Sequence, residues 1–218
     1  DYIIVVDDCG QDDTKAVVRA IAADNPKVVL VEREANGGVG AAVKSGYTRA
    51  LELGADVIIK MDGDDQMDPT ALPALVAPIL RGHADYTKGN RFRAKAQLAA
   101  MPLTRRLGNL GLSLLTKIAH GYWNIFDPTN GYTAIRREAL EAISFARLAD
   151  RYFFEISMLV ALNITVAVVH DVAIPSRYQD EKSSMRIDRI LMTFPSRLLA
   201  ASLERLWNKH FIYCLLYT

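Results

Sequence analysis

Residues 56–66 read DVIIKMDGDDQ. An apolar, β-branched run at 57–59 leads into three carboxylates within four residues, Asp62, Asp64 and Asp65. The run is short and bounded by turn residues, which is the pattern of a buried strand. Carboxylates this close repel one another, and a cation that neutralises them removes the repulsion. Hard oxygen donors suit Mg²⁺ or Mn²⁺, ions that commonly keep one or two carboxylates and complete their shell with phosphate and water. A turn rich in Asp that caps the next helix is the structural alternative.

The same arrangement occurs upstream. Residues 2–6 (YIIVV) form a strand-like run that ends in Asp7-Asp8, and residues 27–31 (KVVLV) form another. Helical patterns follow each run: from Thr14 after Asp12-Asp13, from about Ala41 to Leu53, and from Pro69 to Arg81-Gly82. Strand and helix in alternation predict an α/β fold with a mostly parallel sheet flanked by helices. Ligands of such sheets bind beyond the carboxyl ends of the strands, where both acidic clusters fall. There Asp7 and Asp8 can accept hydrogen bonds from a base N–H or a ribose hydroxyl. Asp12 and Asp13 read as caps of the following helix, and Cys9 reads as a small buried residue.

Residues 36–46 (NGGVGAAVKSG) look like a phosphate loop but fail the common templates. A dinucleotide fingerprint from Gly38 needs Gly or Ala at Val43, and a phosphate loop of the Walker type needs Gly before Lys44-Ser45. The glycines still suit either an anion at a helix N-terminus or a tight turn with close helix packing.

The second half is less regular. Leu103, Leu107, Leu110, Leu114 and Ile118 repeat at helical spacing, weakened by Gly108 and Gly111. Residues 132–135 and 164–169 read as strands and 155–162 as a helix. Residues 187–207 read as a helical pattern broken at Pro195. DPTNGY at 127–132 is a turn signal. Glu155 follows the aromatic run RYFF, where burial would raise its pKa and make it a candidate base; a satisfied helix-start residue is the plainer reading. Trp123, Tyr122 and Phe126 read as core. Arg186, Arg189, Arg197, Arg205 and Lys209 accompany an apolar stripe with Trp207, which suggests a membrane-surface helix or a surface helix packed on the sheet. No stretch reaches the ~18 uncharged apolar residues of a membrane span, although 211–218 (FIYCLLYT) resembles the start of one.

The chain has 218 residues, 50% hydrophobic and 23% charged, as a chain with a real core does. A net charge of +1 supplies no global field for nucleic acid. Two distant cysteines, Cys9 and Cys214, form no disulfide framework and fit a reducing compartment.

Taken in order, VVDDCGQDDT, NGGVGAA, KMDGDDQMDP, KGNRF, DPTNGYTAI, RYFFE and QDEKSS resemble the family 2 glycosyltransferases of the GT-A fold, in particular the dolichyl- and polyprenyl-phosphate sugar synthases. The resemblance implies a metal at Asp62, Asp64 and Gln66, with Mg²⁺ or Mn²⁺ as the cofactor. It implies a nucleotide site made by Asp7, Asp8, Asn36, Gly38, Gly40, Asp62, Gly63 and Asp64. It places Arg106, Arg177 and Lys182 near an acceptor phosphate and Glu155 where relatives carry an acidic base, with Asp127 as the second candidate. Relatives begin with a further strand, so residues 1–185 are expected to form a catalytic unit lacking its N-terminal strand, followed by an amphipathic segment at 186–218. Thr133 stands where dolichyl-phosphate enzymes tend to carry Arg.

The expected reaction is inverting transfer of a sugar from a UDP- or GDP-linked donor to a polyprenyl-phosphate or saccharide acceptor, at the cytoplasmic face of a membrane. Two other classes stay open: a nucleotidyltransferase, which would usually need a Gly-rich loop with Arg and Lys near the N-terminus, and a sugar-nucleotide-binding subunit without catalysis.

Overall fold

The computed structural model describes residues 1–91, 113–174 and 187–212, with the backbone alone for 187–193 and 212. Strand β1 (Ile3–Asp7) pairs in parallel with β2 (Val28–Glu32) in the register Ile3↔Val28 to Asp7↔Glu32, and α1 (Thr14–Asp24) connects them. Helix α2 (Val39–Glu52) leads to β3 (Val57–Lys60). A short 3₁₀ turn at Pro69–Ala71 then opens α3 (Leu72–Leu80), which leads to β4 (Tyr86–Asn90). A helix at 113–120, here α4, precedes β5 (Thr133–Arg136) and α5 (Arg137–Glu141). Helix α6 (Phe154–Ile164), strand β6 (Val169–Ala173) and helix α7 (Ile187–Leu206) complete the order, and a π-helical turn at Trp207–Ile212 follows α7.

The second sheet has the order β3-β5-β4-β6. β5 runs antiparallel to both neighbours, and β4 pairs in parallel with β6. The sheet is therefore mostly parallel in direction, with β5 as its reversed strand. Alternation along β5 sends Ala134 to the α3 side, with Leu75, Ile79 and Tyr132, and Ile135 to the opposite side, with Ile58, Tyr86 and Leu159. The result is a sheet between two helical layers. Helix α6 is buried nearly all round because α7 covers its outer face: Phe194, Leu198 and Ala201 pack on Phe153, Ile156 and Val160.

Two expectations change, and one strand is new. The strand expected at 164–169 begins only at Val169. Helix α6 runs through Ile164, Thr165 Oγ1 donates to the Leu162 carbonyl at 3.1 Å, and Val166 turns the chain with φ of 60°. An apolar run of that length does not by itself separate helix end from strand. Pro195 does not break α7, which runs through it. Its missing N–H costs one helical bond, and the packing of Phe194 and Leu198 on α6 holds the helix together. β4 was not anticipated, because Thr-Lys-Gly-Asn reads as polar although every residue of the strand is buried.

Candidate active site

The site grows from one register. Lys60 at the end of β3 and Lys88 on β4 both lie opposite Thr133 of β5. Directly opposed residues in adjacent antiparallel strands share a face, so both lysines point toward α6. Helix α6 supplies Glu155, 8% exposed, between them. The Lys60 ammonium lies 3.1 Å from Glu155 Oε1 and the Lys88 ammonium 2.9 Å from Oε2. Lys60 also donates to the Gly131 carbonyl at 3.1 Å and Lys88 to the Asn130 carbonyl. Burial alone would raise the Glu155 pKa, but the charges of Lys88 and Lys60 outweigh it and hold the carboxyl below its ordinary value. The expected upward shift is thus reversed, because two cations meet the carboxylate inside. Burial pulls Lys88 down, only partly opposed by Glu155. Burial also disfavours the Lys60 ammonium, but Glu155 and Asp62 outweigh that and raise it.

Asp62 is the next link. Its Oδ1 accepts from Lys60 at 2.7 Å, and its backbone N–H faces the Met67 sulfur at 3.3 Å. A Cβ on Gly131 would collide with Asp62 Oδ2 and Lys60 Nζ, so a side chain there would push both groups aside. Asp64 is exposed, with Oδ1 accepting from the Gln66 amide at 3.2 Å in a tight Asx turn. Gly63 is exposed and a Cβ there would meet nothing. Asp68 caps the following 3₁₀ turn by accepting from Thr70 N at 3.0 Å. The turn reading of the acidic cluster is therefore seen at Asp64 and Asp68. Among the described residues no three His, Cys, Asp or Glu side chains cluster as a metal cage. An exposed Asp64 beside Asp62 and Gln66 suits instead a hard cation that takes much of its shell from phosphate and water.

At the end of β1, Asp7 is buried, accepts from Gly10 N at 3.1 Å and lies 3.3 Å from the Lys15 ammonium. Asp8 is occupied internally. Its carboxylate accepts from Gly37 N at 3.0 Å, Gly38 N at 2.7 Å and Arg33 Nε at 2.8 Å. Burial opposes ionisation there, but those bonds prevail and lower its pKa. Asn36 donates to the Asp8 carbonyl at 3.2 Å. The loop amides of Gly37 and Gly38, just before α2, are thus taken by Asp8, and Ala41 N, in the first turn of α2, donates to the Asp150 carbonyl at 3.0 Å. Gly38 has φ of 91°, and a Cβ on Gly40 would strike the Ala149 carbonyl. Of the two readings of this loop, the tight turn with close helix packing is the one the contacts show.

Asp127 is fully buried, and Arg91 clamps it through Nε at 2.8 Å and Nη2 at 3.2 Å. His120, at the end of α4, is also fully buried. Its Nδ1 accepts from Tyr122 N at 3.1 Å. Burial, with Lys88, Lys117 and Arg205 nearby, pushes its pKa down to about 3. An unfolded histidine titrates near 6.5, so from about pH 6.5 downward only the unfolded chain takes up this proton. Stability is therefore expected to fall with pH across that window, by up to about 1.4 kcal/mol per pH unit from this group. Urea denaturation between pH 7 and 5 should show a shallower fall in His120→Asn. Parallel curves would refute the assignment.

Some sequence expectations move. Cys9 is exposed, in the left-handed region with φ of 64°, rather than buried. Trp123 and Phe126 are exposed rather than core, and the Lys117 ammonium sits 3.9 Å from the Phe126 ring centre. Tyr122 is half-buried, and its hydroxyl donates to the Ala167 carbonyl at 2.7 Å. Arg106, Arg177 and Lys182 lie outside the described residues, as do Cys214 and the side chains of Arg186 and Arg189. Lys60, Lys88, Arg33 and Arg91 were not singled out. For Lys60 the signal available was a lone lysine inside an apolar run; Lys88 lies in a stretch that reads as polar.

A mixed sheet between helical layers, with carboxylates at the strand ends, is the GT-A class of architecture. Glucosyl-3-phosphoglycerate synthase from Mycobacterium tuberculosis, in complex with phosphoglyceric acid, has this fold with a TM-score of 0.63 at 22% identity over 94% of this chain and 69% of that one. The same enzyme in complex with Mn²⁺, uridine diphosphate and phosphoglyceric acid also gives 0.63, at 22% identity over 94% and 67%. The family profile "Glycosyl transferase family 2" matches residues 1–144, and the chain belongs to that family. It is 34% identical, over 70% of its length and 65% of the relative, to a UDP-N-acetylglucosamine–dolichyl-phosphate N-acetylglucosaminyltransferase from Methanococcus voltae. It is 32% identical, over 72% and 63%, to an undecaprenyl-phosphate mannosyltransferase from Micrococcus luteus. The chain thus spans less than two thirds of the length of these relatives.

Proposed function

We propose that this chain carries the donor site and transfer centre of an inverting glycosyltransferase that moves a sugar from UDP or GDP to a polyprenyl- or dolichyl-type phosphate. The observation that carries the reading is the end of β3: Asp62 tethered by Lys60 and Asp64 exposed, in a family 2 chain similar to lipid-phosphate sugar transferases. Asp64, with Asp62 and Gln66, would hold Mg²⁺ or Mn²⁺. When bound, the cation supplies positive charge against the charge building on the departing diphosphate. Asp7, Asp8, Asn36, Gly38, Gly40 and Gly63 line the nucleotide side in this reading. Asp8 acts there by shaping the loop.

The acceptor follows from the carboxylates. A saccharide hydroxyl needs a base within hydrogen-bond reach. Glu155 is locked between two lysines and Asp127 is clamped by Arg91, so neither candidate base is presented to an acceptor. A phosphate monoester, with a second pKa of about 6, is already an anionic nucleophile at neutral pH. Its oxygen bonds to the anomeric carbon on the face opposite the departing diphosphate, and the old carbon–oxygen bond breaks. Arg106, Arg177 and Lys182 are assigned to the acceptor phosphate by the family resemblance.

A lipid acceptor places the reaction at a membrane, in this reading its cytoplasmic face. No described helix is long and apolar enough to cross one. Residues 1–185 would form the catalytic unit. Segment 186–218 would rest on the lipid surface, where the exposed Leu199, Leu203, Trp207 and Phe211 suit contact. Arg205 takes no part in that surface, because it donates to the Ala119 and Ile118 carbonyls.

The test is transfer of labelled sugar from UDP- and GDP-sugars by the full chain with Mn²⁺, offering either a short polyprenyl phosphate or a free saccharide. Label in the lipid phosphate is expected. Label in the saccharide alone would overturn the acceptor. Neither product together with no nucleotide binding would remove the transferase reading.

A further inference from the structure

Lys60 and Lys88 have no part in the reaction as proposed, yet their side chains are only 6% and 0% exposed. A buried ammonium is unfavourable unless its charge is matched and its protons are bonded. Leucine at either position would avoid that burden. Each lysine instead sits in a set of acceptors drawn from separate elements. Lys60 Nζ meets Asp62 Oδ1, Glu155 Oε1 and the Gly131 carbonyl, while Lys88 Nζ meets Glu155 Oε2 and the Asn130 carbonyl. Asp62, Lys60, Glu155 and Lys88 together carry no net charge. Glycine at 131 suits this arrangement, because a side chain there would displace both Asp62 and Lys60.

We infer that Lys60 is a positioning residue for the donor site: anchored by Glu155, its ammonium holds Asp62 by one oxygen against Gly131, so that the carboxylate meets the nucleotide in a fixed orientation. Glu155 is then the buried counter-charge of this device and not a base. Lys88 is its second arm, fixed on the loop at Asn130 rather than on Asp62. A carboxylate held by a bonded ammonium loses little freedom when a ligand arrives, and such pre-ordering appears as affinity. The inference rests on the proposed reading of this site as a nucleotide-sugar site.

Single substitutions would confuse positioning with the loss of a buried counter-charge, so the test uses two charge-balanced pairs in the full chain. K60M/E155Q leaves Asp62 and Lys88, whose charges cancel, but removes the tether. K88M/E155Q leaves Asp62 and Lys60 with the tether intact. Calorimetric titration with UDP and GDP, with and without Mn²⁺, is expected to show affinity lower by roughly tenfold or more in K60M/E155Q, the scale of a charge-assisted hydrogen bond. K88M/E155Q should stay within about threefold of the parent, because Lys60 keeps its bonds to Asp62 and the Gly131 carbonyl, and the glutamine amide oxygen that replaces the carboxylate can still accept from it. Equal affinities in the two variants, or a greater loss in K88M/E155Q, would overturn the inference. If K60M/E155Q does not fold by circular dichroism, Lys60→Gln replaces it, and parental affinity there overturns the inference as well. No binding by the parent chain is a different failure, that of the nucleotide site itself, and takes this inference with it.

Discussion

Asp64→Ala is expected to abolish the metal-dependent part of nucleotide binding while leaving the fold untouched. Asp64 is exposed, and the bond its side chain accepts from the Gln66 amide is local to the turn. Its loss should change stability by no more than about 0.5 kcal/mol, as at other surface positions. Binding is another matter, because a cation with only one or two protein carboxylates depends on each. Titration of the full chain with UDP and GDP should show affinity that rises with Mn²⁺ in the parent and does not in the variant, with transfer slowed about 100-fold or more, the scale of several kcal/mol of charge stabilisation. A variant that still binds nucleotide in a Mn²⁺-dependent way would move the metal away from this turn.

Glu155→Leu is expected to have the largest effect on stability. The substitution fits the apolar setting of α6 but leaves the ammoniums of Lys60 and Lys88 facing each other without their shared anion. Removing one partner from a buried ion cluster typically costs about 3–5 kcal/mol. Against a total of roughly 5–15 kcal/mol for a domain, that is at least about a fifth of the whole. Urea denaturation checks it, and a loss below about 1 kcal/mol would mean that the lysines find other partners or water. The pH dependence has a definite sign. Because the folded carboxyl is held below its ordinary value, its contribution is complete above that ordinary value, near 4.5, and is lost as pH falls through the lower folded one.

Stretches in which local order and chemistry coincide were legible in the sequence. β1, β2 and β3 are short β-branched runs, and a strand that runs into Asp7-Asp8 or Asp62-Gly63-Asp64 announces its end. A contiguous motif needs no tertiary information. β4 was not legible, because Lys88, Gly89 and Asn90 are polar and their burial depends on partners far along the chain. The extent of α6 and the continuity of α7 through Pro195 were also set from outside, by the packing of Phe194, Leu198 and Ala201 on Phe153, Ile156 and Val160.

The sequence alone determined the alternation of strand and helix, the acidic turns at the strand ends and the family, because these depend on residues adjacent in the chain. Only the tertiary structure decided what the charges do. Asp8 faces inward to the Gly37 and Gly38 amides, since the loop at 36–38 folds back over it. Lys60 and Lys88, 28 positions apart in the numbering, become neighbours because β5 pairs with both of their strands at Thr133. Glu155 is a buried counter-charge because α6 lays it between two ammoniums. Electrostatic roles depend on distance and burial, which no local stretch of sequence contains.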